Sequence, residues 1–354
     1  MEFALDDDQQ ALQATARQVL ADRGDARHWD DALWAQLVDL GWVGLMVPEE
    51  QGGSGMGMLE MMVVLEEMGR LPMPGPFLSS AVYAVRAATL LGLGDRLSSI
   101  AAGVTRGTVA VDEDGHGDVI DRIRTRASRK SGAWRLTGAK SFVLDGDGAD
   151  WVLVAARTQQ GLGTFVVERP RAEVVESLDV TRRITRIDFD DTLAEPVGFD
   201  GDHTAIWRRV VDDGVVALSA ELLGTMQASF DLAIEYAKHR VQFDRPIATF
   251  QATKHKAAEM LERIELSRVG VHYAAWASDA EEPVRAESAA MVKSFAGRAA
   301  NEVTGEGIQI HGGVGFTWDC DAHLYYRRAK ANDLLSGYHG TWRAQVADRY
   351  LATA

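Results

Sequence analysis

The sequence predicts an α+β protein that is mostly helical, with strands only in the middle of the chain. Apolar residues recur at helical spacing through about the first hundred residues. Short β-branched and aromatic runs, separated by Gly and Asp, then fill positions 105–201, and long amphipathic patterns resume after Trp207. We therefore expect an N-terminal helical domain over 1–104, a β domain over 105–201 and a C-terminal helical bundle over 202–354.

The N-terminal segment predicts helices separated by a turn-rich stretch. The first begins at the acidic run Asp6–Asp8, and the second stops at Gly41. Their apolar residues have helical spacing: Leu12, Ala16, Val19 and Leu20, then Leu33, Trp34, Leu37 and Val38. The turn residues of Pro48–Gly55 interrupt the pattern, which resumes at Leu59. The methionine-rich run Met56–Met68 has the spacing of core filling rather than of a cofactor or metal site.

Strands are predicted in the middle segment. The runs Trp134–Thr137, Trp151–Ala155 and Thr164–Val167 are rich in the residues that favour strands, and Gly and Asp clusters separate them. In Arg122–Arg126, basic residues alternate with Ile and Thr. This alternation favours a strand with one solvated face over a phosphate site.

Long helices are predicted from Trp207 onward. One carries the apolar face Leu218, Leu222, Leu223, Met226, Phe230, Ala233, Ile234 and Ala237, and the next carries Leu261, Ile264, Leu266, Val269, Tyr273 and Trp276. The turn 279–283 closes the second helix, a third runs from about Glu287 to Glu306, and at least one more follows Asp321. Long helices in succession predict an antiparallel bundle.

Composition excludes several classes of function. The net charge of −15 over 354 residues argues against a nucleic-acid surface, which needs a basic face. No apolar run approaches the ~20 residues that span a bilayer, and the N-terminus lacks a secretory signal. Cys320 stands alone, which excludes an internal disulfide and favours a reducing compartment. We expect a cytoplasmic protein without nucleic-acid or membrane partners.

Two stretches near the C-terminus indicate a dinucleotide-binding surface. Arg240–Gln251 places an arginine, a phenylalanine and a glutamine around a Pro-Ile turn, and Gln309–Phe316 contains a Gly-Gly pair. Because glycine has no Cβ, the backbone there can approach an anionic group closely.

These stretches resemble the signatures of the acyl-CoA dehydrogenase family, as do Trp34–Leu37 and Pro48–Gly53. The resemblance covers essentially the whole chain. It implies that family's fold, with an N-terminal helical domain, a central β-barrel-like domain and a C-terminal four-helix bundle. Members are flavoproteins that desaturate a CoA thioester: a carboxylate base removes the α proton while flavin N5 accepts the β hydride. Their FAD is shared across a dimer interface.

The resemblance implies roles for residues that would hold the FAD of a neighbouring subunit. Arg240 would bind the pyrophosphate, and Phe243 would pack on the adenosine portion. The set completing this surface is Gln242, Ile247, Gln251, Gln309, Gly312 and Gly313. Two alternatives stay open here: Arg240 as a surface ion-pair residue and Phe243 as ordinary core. His311 is expected to be a structural hydrogen-bonding histidine rather than a catalyst.

The chain departs from the family pattern where the flavin ring would be held. The family's Thr-Glu-Pro and Gly-Ser-Asp segment corresponds to Val111–Ile120, which has no serine or threonine. Leu144 occupies the place of the hydroxyl that faces flavin N5, and leucine cannot donate that hydrogen bond. Phe142 replaces the tryptophan that shields the ring.

The catalytic base is also missing. His339 stands where most members carry glutamate, and we favour a loop residue filling a vacated pocket over a base. A minority of members take the base from the long bundle helix, where this chain has Gly214 and Val215. Asp213 is adjacent, but one helical residue is a rotation of about 100°. Its expected role is that of an acid near a helix start.

Together these features resemble the non-catalytic, β-type subunit of actinobacterial heteromeric acyl-CoA dehydrogenases, which act on bulky thioesters such as those of steroid side chains. The segment Phe316–Lys330 looks most like that group, although plain bundle packing also accounts for its aromatic residues. The resemblance implies an α2β2 heterotetramer in which a catalytic partner holds most of the acyl-CoA. The alternatives are a self-sufficient dehydrogenase with His339 as base, and a flavin-free scaffold or CoA-binding protein.

Overall fold

The computed structural model describes residues 4–21, 31–198 and 200–352. In these ranges helices come first, strands lie between Gly107 and Val197, and long helices follow. This confirms the mostly helical α+β class. The division into domains after residues 104 and 201 stays a prediction.

The N-terminal part is helical as predicted. Its α-helices are α1 (Asp7–Ala21), α2 (Asp31–Asp39), α3 (Met58–Arg70), α4 (Val85–Leu90) and α5 (Gly94–Ala101), with a π-helix over Phe77–Ala84. Asp6 caps α1 by accepting a hydrogen bond from the N–H of Gln9 at 2.8 Å. Most of the methionine run fills the core as expected, because Met58, Met61, Met62 and Met68 are buried, whereas Met56 is exposed.

The strands of the middle part form a closed ring. They are β1 (Gly107–Ala110), β2 (Arg126–Lys130), β3 (Ala133–Leu144), β4 (Trp151–Thr158), β5 (Gly161–Glu168), β6 (Ala172–Val175) and β7 (Ile184–Val197). The pairing order β4–β2–β3–β7–β5 returns to β4, while β1 and β6 flank the ring. This barrel-like arrangement encloses its own apolar core, which includes Val154, Phe165 and Phe189.

The strand predicted for Arg122–Arg126 is wrong. The chain turns there, and β2 begins only at Arg126. The alternation of burial is nevertheless present, with Ile123 and Thr125 buried and Arg124 exposed. The pattern was correct about which side chains face the core, but a turn can show the same alternation as a strand.

The C-terminal part is a bundle of long helices. They are α6 (Thr204–His239), α7 (Gln251–Asp279), α8 (Arg285–His311), α9 (Ala322–Leu334) and α10 (His339–Ala352). The third of these is longer than predicted at both ends. Helix α8 packs against the other four. Among the described residues, none of the helices is both long and apolar enough to cross a membrane.

The ends of α6 and α8 lie at the same end of the bundle. A Cβ at Gly307 would approach Ser229 Oγ to 2.5 Å, and the rings of Tyr236 and His311 have centroids 4.6 Å apart. The stretch Arg240–Gln251 follows α6 directly, and the stretch Gln309–Phe316 begins in the last turn of α8. The bundle therefore brings them to one end of the molecule.

Candidate functional site

The first stretch forms a hairpin that presents Phe243 to solvent. Strands β8 (Val241–Gln242) and β9 (Arg245–Pro246) pair across a two-residue turn, Phe243–Asp244. Both turn residues have positive φ, 52° and 62°, as in a type I′ turn. Neither is glycine, so the turn is strained, and strain of this kind is typical of functional sites. Phe243 is 87% exposed, which rules out its alternative interpretation as core.

Arg240 lies between α6 and this hairpin with its side chain in solvent. Its backbone N–H donates to the Tyr236 carbonyl at 2.8 Å, and its carbonyl accepts from Ile247 at 2.8 Å. Within the described ranges its guanidinium makes no ion pair, so the interpretation as a surface ion-pair residue finds no support. Gln242 and Gln251 are also exposed, whereas Ile247 is half-buried against the bundle core.

The second stretch offers accessible backbone. Gln309, Gly312 and Gly313 are exposed, and a Cβ built on either glycine would meet no atom within 4 Å. Gly312 has φ +66°, which L residues rarely adopt. His311 is buried and donates from Nδ1 to the Gly307 carbonyl at 2.7 Å, in keeping with its expected structural role. A negatively charged group could therefore approach this backbone directly.

Leu144, which stands where the resemblance places the flavin-facing hydroxyl, lies at an almost filled cavity. Leu144 is buried and lines an inner cavity of only ≈ 40 Å³, together with Tyr83, Val211, Leu335 and Ser336. A volume of this size holds a few water molecules. Sites for small organic ligands measure about 300–1,000 Å³. The inner cavity cannot accept an acyl chain or a flavin ring.

Tyr83 fills the space beside the alternative base position. A Cβ at Gly214 would lie 2.2 Å from the Tyr83 ring. The Tyr83 hydroxyl shares a hydrogen bond with Ser336 Oγ at 3.2 Å, and burial raises the pKa of Tyr83 to about 12. The phenol is therefore neutral and held in place. Sequence reasoning missed Tyr83, because a lone tyrosine in an apolar segment carries no pattern.

Asp213 is a buried structural carboxylate, so its expected role near a helix start is wrong. It lies well inside α6, which begins at Thr204. It accepts from Arg86 Nη2 at 2.8 Å and from Ser278 Oγ at 2.6 Å. Burial alone would raise the pKa of Asp213, but Arg86 and Ser278 outweigh it and the pKa lies below its usual value. A carboxylate held in this way is a poor base.

A larger outer cleft of ≈ 840 Å³ lies beyond Phe142, between the barrel and the helices α9 and α10. Gly115–Gly117, Phe142, Tyr338 and Thr341 line it, so the segments that depart from the family pattern meet here. Phe142 has φ +57° at a register shift between β3 and β7. Arg122, the guanidinium lining this cleft in the described part of the chain, is already ion-paired with Asp112. The outer cleft offers room but no uncommitted cation for phosphate.

His339 is bound to the bundle rather than directed at either cavity. Its Nδ1 donates to Asp333 Oδ2 at 2.8 Å, and its backbone N–H donates to Asp333 Oδ1 at 3.0 Å. Asp333 is itself buried and also accepts from Asn301 at 2.6 Å. Tyr338 and Gly340 line the outer cleft, but His339 is not among its lining residues. The contacts therefore make His339 an anchor for the start of α10.

The segment Val111–Ile120, which has no serine or threonine, has a structural role. Glu113 accepts from Lys140 Nζ at 2.8 Å and from the N–H groups of Arg124 and Thr125 at 2.7 and 3.0 Å. Burial lowers the pKa of Lys140 to about 8, although Glu113 opposes the shift. These contacts join the segment to β3.

A buried ionic cluster, which sequence reasoning also missed, joins the barrel to the bundle. Glu221 of α6 accepts from Arg182 at 2.5 Å and from Arg328 of α9, and Arg328 also donates to Asp179 at 2.6 Å. Burial opposes ionisation, but the two guanidinium groups outweigh it and lower the pKa of Glu221. A charged residue between the apolar positions Leu218 and Leu222 was the available signal.

The N-terminal helices, the barrel and the C-terminal bundle together form the architecture of an acyl-CoA dehydrogenase. Models of this family's N-terminal and C-terminal domains match residues 6–96 and 206–351. The chain is 32% identical to the acyl-CoA dehydrogenase IpdE2 of Mycobacterium tuberculosis over 320 residues, 90% of this chain and 86% of IpdE2. The chain belongs to the acyl-CoA dehydrogenase family, whose members are oxidoreductases of acyl-CoA thioesters that generally bind FAD.

Two solved structures of heteromeric or steroid-type enzymes are similar to this chain over almost its whole length. The ChsE4–ChsE5 complex of Mycobacterium tuberculosis contains a chain with TM-score 0.89 and 27% identity, with 100% of both chains covered. A variant of the Tcur3481–Tcur3483 steroid ACAD has TM-score 0.88 and 28% identity, covering 98% of this chain and 99% of that one. These similarities confirm the resemblance to the actinobacterial, steroid-type heteromeric group.

Proposed function

We propose that this chain is the non-catalytic subunit of a heteromeric acyl-CoA dehydrogenase and that it completes the FAD site of a catalytic partner. One contrast carries the proposal. The surface around Arg240, Phe243 and Gly312–Gly313 is exposed and uncommitted, whereas Tyr83 and Leu144 close the chain's own inner cavity. A subunit that turned over acyl-CoA by itself would need an open cavity at this position.

The chain's residues would hold only the tail of the cofactor. FAD, when bound, supplies hydride acceptance at its flavin ring, which would lie in the partner. Arg240 would bind the pyrophosphate through its planar fork, and Phe243 would stack on the adenine side. The backbone at Gly312 and Gly313 would approach the phosphates, with amide groups from Gln242, Gln251 and Gln309 beside it.

We further propose a heterotetramer of two catalytic and two non-catalytic chains, with two shared FAD molecules. The support is the similarity to the ChsE4–ChsE5 complex and to the Tcur3481–Tcur3483 steroid ACAD. The substrate class would be a bulky acyl-CoA such as a steroid side-chain thioester, held mainly by the partner. The closed inner cavity gives this chain little part in selecting the acyl group.

A matched pair of substitutions tests the role of Arg240. In the complex with the catalytic partner, Arg240→Ala should weaken FAD binding by at least about 10-fold, since a charge-assisted bond to phosphate is lost. The control is Lys238→Ala, which removes an exposed cation from the last turn of α6. Flavin fluorescence during dialysis measures the dissociation constant. Equal FAD retention by both variants would contradict the assignment of Arg240.

A self-sufficient enzyme with His339 as base is the second candidate, because Asp333 orients its imidazole as a base requires. Under our proposal, His339→Ala leaves turnover of the complex unchanged but lowers its melting temperature, since α10 loses its anchor. A homomeric preparation that turns over acyl-CoA and loses activity on this substitution would support the second candidate instead.

A further inference from the structure

A further cleft opens in the barrel itself, where β5 and β7 separate. Strand β7 pairs with β6 along Ile184–Ile187 and with β5 along Glu195–Val197. Between these pairings, residues 188–194 of β7 have β3 on one side and, in the described ranges, no paired strand on the other. We call the opening there the barrel cleft, and its volume is ≈ 900 Å³. Sites for small organic ligands measure about 300–1,000 Å³, so the barrel cleft has room for one.

The floor of the barrel cleft is the apolar core of the barrel. Val167, Ile187 and Phe189 line the cleft and belong to the buried cluster that also contains Phe165. The half-buried Trp134 lines it too, and its ring packs on that of Phe165 at a centroid distance of 5.2 Å. A ligand in the cleft would therefore contact apolar side chains at the mouth of a barrel, where small-molecule sites are common.

Within the described ranges, three exposed arginines line the barrel cleft. Arg169 and Arg171 flank Pro170 in the connection from β5 to β6, and Arg129 comes from β2. None of their guanidinium groups forms an ion pair with another described residue. Arg129 donates from Nε to the Gly132 carbonyl at 3.3 Å, which leaves its terminal nitrogens available. The cleft therefore offers positive charge to a ligand.

The acidic residues of the cleft compensate little of this charge. Glu168 is paired with Arg96 at 2.6 Å, and Asp188 is paired with Arg186 at 2.9 Å. Glu195 is the lining carboxylate that forms no ion pair in the part of the chain that the structure describes. A surplus of positive charge therefore remains in the cleft, on a chain whose net charge is −15.

The connection that carries two of the arginines has a constrained backbone. Arg169 has φ +46°, which L residues rarely adopt, and the ring of Pro170 fixes its own φ. The Arg169 N–H donates to the Asp150 carbonyl at 2.7 Å. Strain of this kind persists only where the surrounding structure supports it, and it is typical of ligand-binding sites.

We propose that the barrel cleft binds an organic anion with an apolar body. Its carboxylate or phosphate head group lies at Arg169 and Arg171, whose planar forks suit two anionic oxygens, and its apolar body lies on Trp134 and Phe189. Trp134 is eight residues of β3, or about 26 Å of strand, from Phe142 of the outer cleft. The barrel cleft is therefore a separate site, and the inference does not depend on the proposed function.

Isothermal titration calorimetry of the full chain, without a partner, tests the site with octanoate, octyl phosphate and the neutral octan-1-ol. The better of the two anions should bind at least about 10-fold more tightly than octan-1-ol, because the alcohol lacks the charge-assisted bonds. That anion also identifies the head group. Replacing its octyl chain by a hexyl chain should weaken binding by about 15-fold, because each buried CH₂ contributes about 4-fold.

A matched set of variants locates the binding. The double variant Arg169→Ala/Arg171→Ala should weaken binding of the anion by at least about 30-fold. The control, Arg126→Ala, removes an exposed arginine of β2 that does not line the barrel cleft, and it should leave the affinity unchanged. Circular dichroism checks that the variants are folded.

Three results would overturn the proposal. The first is the absence of saturable binding of either anion, or equal affinity of the double variant and the wild type. The second is equal affinity for the anion and octan-1-ol, which would assign the binding to apolar surface alone. The third is an equal loss in Arg126→Ala, which would show a general attraction of anions to the barrel. None of these results bears on the surface around Arg240, which the variants leave intact.

Discussion

Tyr83 and Gly214 pack against each other beside the inner cavity. A glycine at 214 leaves room that the Tyr83 ring occupies, and the ring closes the inner cavity. Tyr83→Ala should therefore destabilise the protein by about 3–5 kcal/mol, as for other large aromatic truncations in cores. Tyr83→Phe removes only the bond to Ser336 and should cost about 1 kcal/mol. Chemical denaturation measures the free energy of unfolding of both variants. Equal losses would show that the hydroxyl, and not the packing of the ring, stabilises the protein here.

Asp212 predicts a pH dependence of stability. Burial raises its pKa from 3.8 to about 7, and Arg285 at 3.3 Å only partly opposes the shift. Because the folded-state pKa is raised, the contribution of this group is fully present below pH ~4 and is lost as the pH rises through about 7.

The variant Asp212→Asn cannot ionise, so its melting temperature relative to wild type should rise between pH 4 and pH 8. The underlying free-energy difference is on the order of a few kcal/mol. Differential scanning fluorimetry across this range measures it, with Asp231→Asn on the exposed face of the same helix as control. A constant difference between Asp212→Asn and wild type would contradict the raised pKa.

At the scale of elements, periodicity predicted those helices that have one apolar face. The π-helix Phe77–Ala84 is buried throughout, so no amphipathic pattern marks it, and Tyr83 lies in it. The turn at Arg122–Arg126 shared the alternation of a strand. The role of Asp213 is set by its contacts with Arg86 and Ser278, which lie far from it in the chain, and no local pattern in the sequence shows them.

The residues of the candidate site likewise divide into those that local motifs predicted and those that they did not. Local motifs predicted the exposed positions Arg240, Phe243 and Gly312, because their residue types are tied to short turns. The contact between Tyr83 and Gly214 joins two elements far apart in the chain, and no local pattern contains it. The small inner cavity was therefore visible in sequence only indirectly, through the replacement at Leu144.

The buried ionic cluster makes a prediction for the junction between barrel and bundle. Glu221→Gln leaves the guanidinium groups of Arg182 and Arg328 buried with less counter-charge. We expect a loss of about 3–5 kcal/mol. Glu235→Gln, on an exposed turn of the same helix, should change stability by less than about 1 kcal/mol. Thermal unfolding of both variants measures the difference, and similar values would mean that the cluster does not stabilise the junction.

At the scale of the whole molecule, the exposed bundle end and the inner cavity differ in what they can bind. The architecture of the family is retained from the N-terminal helices through the barrel to the bundle. The bundle end has an exposed surface on which we propose that a cofactor tail binds, while the inner cavity beside Tyr83 and Leu144 measures only ≈ 40 Å³. The outer cleft between the barrel and helices α9 and α10 is open. Under the proposed function, this chain would contribute to catalysis only through what it presents to another polypeptide.

Flavin quantitation per polypeptide tests this account most directly. The chain would be purified alone and as a complex with its catalytic partner, and FAD would be measured by absorbance after denaturation against the amount of each chain. The account predicts no bound FAD on the isolated chain and one FAD for each pair of unlike chains in the complex. A yellow homomeric protein with one FAD per chain and acyl-CoA dehydrogenase activity would contradict it.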